Sequence, residues 1–170
     1  MKRALIPVLV LLASVSSARA QRGDNCDREC LRGFVTQYLN AMVAHNPEAL
    51  PSAPNVRFTE DTKTLKLGEG LWKNASQIRP YRVDFLDVRE GVTVSHVVVE
   101  EAAMPALLVL RLKIVDRKIT EVETTVTRSR EQGAAFNLTA LQTPQPAMTL
   151  VPEVSQRNSR AEAIRIAEML

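Results

Sequence analysis

The chain has 170 residues, 45% of them hydrophobic and 24% charged, with 22 Lys and Arg against 19 Asp and Glu. Three of the basic residues, Lys2, Arg3 and Arg19, lie in an N-terminal targeting segment, and the remaining 150 residues carry 19 charges of each sign. A neutral chain without a basic, aromatic-laced patch has no electrostatic footing on nucleic acid or an anionic membrane, and no second apolar run is long enough to span a bilayer.

The chain opens with a basic Met1-Lys2-Arg3, an apolar run from Ala4 to Val15, and the small-residue motif Ala18-Arg19-Ala20. This order predicts a secretory signal at 1–20, cut after Ala20, and a secreted or periplasmic protein that starts at Gln21. The two cysteines follow closely, at Cys26 and Cys30. An oxidising compartment favours a local disulfide over free thiols, feasible if Cys26 precedes a helix and Cys30 sits in its first turn. Zinc would need two further ligands, and no His or Cys pair supplies them. No metal or organic cofactor is expected.

Leu31, Phe34, Val35, Tyr38, Leu39 and Met42 form one apolar stripe of an amphipathic helix, with Asp24-Asn25 as cap candidates and Asn46-Pro47 as the stop. His45, at that stop, reads as a C-terminal cap rather than a ligand. Residues 56–60 and 65–67 alternate as a short hairpin around Asp61-Thr62-Lys63, and Leu71–Ala75 reads as a short helix or loop bearing the single tryptophan, Trp72. Strands at about 81–88, 92–99, 106–115 and 119–128 then form an antiparallel meander, with turns at Arg89-Glu90-Gly91, Ala102–Met104 and Asp116-Arg117-Lys118.

The whole divides into an α+β domain over 21–136, a Pro-containing linker or strap over 137–158, and a helix over 159–170 that opens on a Ser159-Arg160-Ala161-Glu162 capping box. That last stripe reads as the possible start of a second, similar domain. Asn74-Ala75-Ser76 and Asn137-Leu138-Thr139 match the N-glycosylation acceptor pattern, which matters only in a eukaryotic host and arises readily by chance.

Helix, hairpin, Trp-bearing segment and four long strands, in this order, resemble the nuclear-transport-factor-two-like superfamily, which includes ketosteroid-isomerase-like and SnoaL-like proteins. The segments Asn55–Glu60, Leu67–Trp72, Ala106–Lys113 and Ile119–Thr124, with the Asp116-Arg117-Lys118 turn, resemble an uncharacterised secreted family within it. The resemblance covers roughly residues 26–130. It implies a cone-shaped, curved antiparallel sheet wrapped on a long N-terminal helix, a second similar domain or a homodimer partner, and no single activity.

Counting back from the three-residue turns sorts the strands into two faces. Lys113 faces Glu121 and Arg111 faces Glu123, with Leu112, Leu110 and Leu108 opposite Val122, Thr124 and Val126. The same count sets Asp84 opposite His96, Phe85 opposite Ser95 and Val83 opposite Val97. One face is then apolar, with Tyr81, Val83 and Phe85, and the other ionic, with Arg82, Asp84 and His96.

Two functions follow. One is a binding or interaction module without catalysis, taking a small apolar molecule on the concave side through Tyr38, Trp72, Tyr81, Ser95 and Thr124. Trp72 reads equally as a plug of that space. The alternative is a cofactor-free lyase, cyclase or isomerase using Asp84 and His96 as an acid–base pair, which the face assignment points away from the pocket unless the register slips by one residue. The inward carboxylates of ketosteroid isomerases have no counterpart among Asp84, Asp87 and Asp116 in this reading.

Overall fold

The computed structural model describes residues 26–128, 131–132 and 137–169. The expected signal, its cleavage site and the Asp24-Asn25 caps lie outside these residues. Asp27 is the N-cap of helix α1 (Arg28–Val43), accepting from the Cys30 amide at 2.8 Å. Cys26 and Cys30 are joined as a disulfide across this cap. The helix ends at Ala44, and His45 follows at φ 52°, the left-handed residue that turns the chain away.

Six strands follow: β1 (Ser52–Glu60), β2 (Lys63–Leu65), β3 (Ala75–Asp87), β4 (Val92–Glu101), β5 (Met104–Val115) and β6 (Lys118–Thr127). They form one curved sheet in the order β2-β1-β6-β5-β4-β3. All pairs are antiparallel except β1 with β6, so the sheet is mixed, not antiparallel as expected. The meander from β3 to β6 reverses at every turn, and its last strand arrives running in the same direction as β1.

Tight turns set most of the register. Asp61-Thr62, Ala102-Ala103 and Asp116-Arg117 all have positive φ at both residues, the signature of two-residue hairpin loops whose twist matches that of the strands. The β5–β6 loop is therefore one residue shorter than the sequence suggests. A register shift between Lys113 and Ile114 compensates, and Lys113↔Glu121, Arg111↔Glu123 and Leu110↔Thr124 pair as expected.

The β3–β4 turn has no such compensation. Asp87 Oδ1 accepts from the Arg89 and Glu90 amides at 3.1 and 3.3 Å, which starts the turn a residue early and makes a four-residue loop ending at Gly91. Asp84 consequently lies opposite Ser95, Val83 opposite His96, Phe85 opposite Val94 and Arg82 opposite Val97. This one-residue slip moves every β3 side chain in that stretch to the other face.

Helix α1 buries Leu31, Phe34, Val35, Tyr38, Leu39 and Met42 against the inner face of the sheet, where Phe58, Val97, Leu108, Leu110, Leu112 and Val122 meet them. Each such side chain contributes about 1.5–3 kcal/mol by leaving water. On the outer face Tyr81, Val83 and Val98 are buried with Leu107 and Leu141 around them. Leu141 belongs to the segment beyond residue 137, which buries Leu138, is mostly exposed elsewhere and holds two short helices, α2 (Pro146–Thr149) and α3 (Arg160–Ala167). Ser159 caps α3 by accepting from the Glu162 amide, and Arg160 ties it to Asp87 at 2.7 Å.

Candidate functional site

The slip of β3 carries Asp84 and Arg82 inward, against α1. Asp84 is not the exposed partner of His96 that the sequence suggested, and the two side chains lie on opposite faces of the sheet. His96 stacks edge-on against Phe85 on the outer face, with ring centroids 5.9 Å apart. The acid–base pair is therefore not formed. Tyr81 likewise leaves the concave set for the outer apolar cluster.

Asp84 has instead become the centre of an ionic knot. Its Oδ1 accepts from Ser95 Oγ at 2.8 Å and from Arg82 Nε at 2.9 Å, while Oδ2 lies 2.9 Å from Arg82 Nη2 and 3.7 Å from Arg32 Nε. Arg82 also donates to Thr36 Oγ1 at 2.9 Å and to the Arg32 carbonyl at 3.3 Å. A two-pronged guanidinium–carboxylate contact with these further donors satisfies both charges and fastens α1 to the sheet edge. Ser95, an expected ligand contact, serves this knot.

Beside the knot an open groove of about 580 Å³ runs between α1, β3 and residues 148–151. Arg28, Arg32 and Arg82 line it with Asp84 as the one carboxylate of the lining, Arg32 also pairing with Glu29 outside it, and Phe85, Leu86, Met148 and Leu150 supply apolar wall. Phe85 is 50% exposed and Leu150 74%. Among the described residues the Arg28 side chain makes one hydrogen bond, to the Leu86 carbonyl at 3.2 Å, which leaves most of its donors unused at the groove wall.

The space between α1 and the inner sheet holds the other expected ligand residues. Trp72, in a 3₁₀ turn over Gly70–Lys73, is buried, donates its indole N–H to Tyr38 Oη at 2.8 Å and meets the Tyr38 ring edge-on at 5.2 Å. His45 Nδ1 lies 2.5 Å from the Trp72 carbonyl, so that nitrogen carries the proton and the helix end holds the Trp turn. Burial pushes the Tyr38 phenol well above its ordinary range.

Glu60, which alternation marks only as a strand residue, is buried and completes this interior. Both its carboxylate oxygens accept from the Leu71 amide at 3.1 Å, and Thr124 Oγ1 lies 3.5 Å from Oε2. Desolvation raises its pKa, against the Leu71 amide, which lowers it. Its signal in the sequence was Gly68-Glu69-Gly70 before Leu71-Trp72, glycines that let a backbone approach a side chain closely.

On the outer face Arg57 and Arg111 interleave with Glu121 and Glu123 at 3.0–3.3 Å. Lys113, expected to pair with Glu121, reaches the Glu90 carbonyl instead. Arg111 holds the Glu121 carboxyl below its usual range. Exposed pairs of this kind are worth under about 1 kcal/mol each and identify no partner.

No protein-family model and no curated protein matches the chain in sequence. Among solved structures, an NTF2-like protein of unknown function from Burkholderia xenovorans is similar at 11% identity over 73% of this chain and 94% of its own, with a TM-score of 0.46. A candidate ketosteroid isomerase from Kribbella flavida shares 12% identity over 73% of this chain and 89% of its own, also at 0.46. A designed protein with a curved β-sheet is similar at 19% identity over 59% of this chain and 87% of its own, at 0.47.

Proposed function

We propose that this protein is an exported, non-catalytic binding module whose ligand seats in the groove between α1, β3 and residues 148–151. The observation that carries the reading is the contrast between the two sides of α1. Inside, Trp72 and Tyr38 are buried against each other and hydrogen-bonded, so the interior is occupied by side chains. At the β3 edge, three arginines and exposed apolar side chains surround open volume of small-molecule size. The export assignment rests on the Met1–Ala20 pattern and on the resemblance to a secreted family.

Native mass spectrometry of the protein exported through its own N-terminal segment tests this reading. The expected result is an adduct of a few hundred daltons that is lost on denaturation and lost in an Arg28→Glu, Arg32→Glu variant. A bare wild-type chain, or an adduct indifferent to those two changes, would overturn it.

A further inference from the structure

We infer that the groove selects an amphipathic anion, with a carboxylate or sulfonate head on Arg28 and Arg32 and an alkyl or aryl body along Phe85, Leu86, Met148 and Leu150. The inference rests on the groove being the ligand site and adds the chemical class.

The charges sort themselves by what already satisfies them. Arg82 is spent on Asp84, Thr36 and the Arg32 carbonyl. Asp84 in turn accepts from Ser95 and Arg82, and its side chain is only 9% exposed. This pair is neutral and closed, and it forms the floor. Arg32 lies 3.7 Å from Asp84 and donates through Nη1 to Glu29, a surface carboxylate 77% exposed in a pair of the kind that contributes little, so its remaining donors are free of a buried partner. Arg28 contacts a backbone carbonyl alone among the described residues. Two guanidiniums with spare donors therefore stand over a neutralised floor, and the groove lining carries three positive charges against one negative.

A planar fork of donors suits a carboxylate or sulfonate better than a point charge would. The apolar wall excludes a small hydrated anion as the best fit. Leu150 and Val151 are 74% and 73% exposed and Met148 is 44% exposed, and all three line the groove together with Phe85 and Leu86. An apolar tail laid between them would cover surface that none of the described residues covers. A cationic amphiphile would gain the same apolar contact but face the arginines.

Decanoate and decyltrimethylammonium share a tail and differ in head charge, so they separate these contributions. Calorimetric titration of the exported protein is expected to give at least about tenfold tighter binding of decanoate, equivalent to about 1.4 kcal/mol, weakening as salt is raised. Arg28→Gln with Arg32→Gln should shrink that preference below about threefold, with an unchanged circular dichroism spectrum showing that the fold survives. Leu150→Ser, at an exposed position, should weaken both probes alike. Equal binding of the two probes, abolished by Leu150→Ser, would overturn the anion class while leaving the groove as the site. Binding of neither probe, together with a bare chain in native mass spectrometry, would overturn both.

Discussion

Replacing Gly70 with alanine probes the contact on which the Trp turn depends. Gly70 has φ +65°, and an added Cβ would stand 2.5 Å from Glu60 Oε1 and 2.7 Å from its Cδ. Left-handed backbone costs alanine about 1–2 kcal/mol. The carboxylate must also leave the Leu71 amide, and losing a hydrogen bond to a charged group costs a further ~1.5–3 kcal/mol. The expected loss is about 3–4 kcal/mol, or roughly 10 °C in Tm for a chain of this size. Gly68→Ala is the control, because it shares the backbone strain (φ +94°) but meets only Pro47 Cγ at 3.4 Å. Urea unfolding followed by the single tryptophan reads both. In a Glu60→Ala background the Gly70→Ala cost should fall to the backbone contribution of about 1–2 kcal/mol. Equal costs for the two glycines, or strict additivity with Glu60→Ala, would refute the idea that Glu60 clamps this turn.

Three further changes have definite expected outcomes. Because burial raises the Glu60 pKa, the folded chain holds a proton that the unfolded chain releases. Glu60 therefore contributes stability that falls as pH rises from the ordinary carboxylate range through the raised value. Unfolding free energies for wild type minus Glu60→Gln should decline over that window, and a difference that climbs with pH would contradict the assignment. The Thr93 hydroxyl is fully buried without a hydrogen-bond partner among the described residues, so Thr93→Val should stabilise by about 1 kcal/mol in chemical denaturation, whereas a loss of stability would reveal a partner. Ala102 and Ala103 hold φ 49° and 66° in the β4–β5 turn, and Asn-Gly there should raise stability by about 1–2 kcal/mol, read as a Tm increase; no change would mean the turn is not under strain.

What could be read from the sequence tracks how local the controlling interaction is. The stripe of α1 and the inner run Leu108, Leu110 and Leu112 follow from periodicity because burial on one face leaves an unambiguous pattern. The β5–β6 register was legible for an incidental reason, since a turn one residue shorter than expected is offset by a later bulge. The β3–β4 register was not legible, because it turns on one side chain, Asp87, capping two amides in its own turn. β3 also gives weak guidance, since Tyr81, Val83 and Phe85 are apolar yet face outward, where Leu141 comes from far along the chain to cover part of them. The candidate site inherits this. Asp84 stands out in the sequence but its neighbour does not follow from it, and Glu60 does not stand out because a charged residue at a strand end ordinarily faces water. Its burial depends on a glycine and an amide ten and eleven residues later.

The most direct test of the central claim is a ¹H–¹⁵N correlation titration with decanoate, since the groove and the interior carry separate reporters. The account predicts that amides of Arg28, Arg32, residues 83–86 and residues 148–151 shift together, while the single Trp72 indole resonance, hydrogen-bonded to Tyr38, stays in place. Movement of the Trp72 indole with the Tyr38 and Thr124 amides, and a silent groove, would contradict it and return the binding site to the interior.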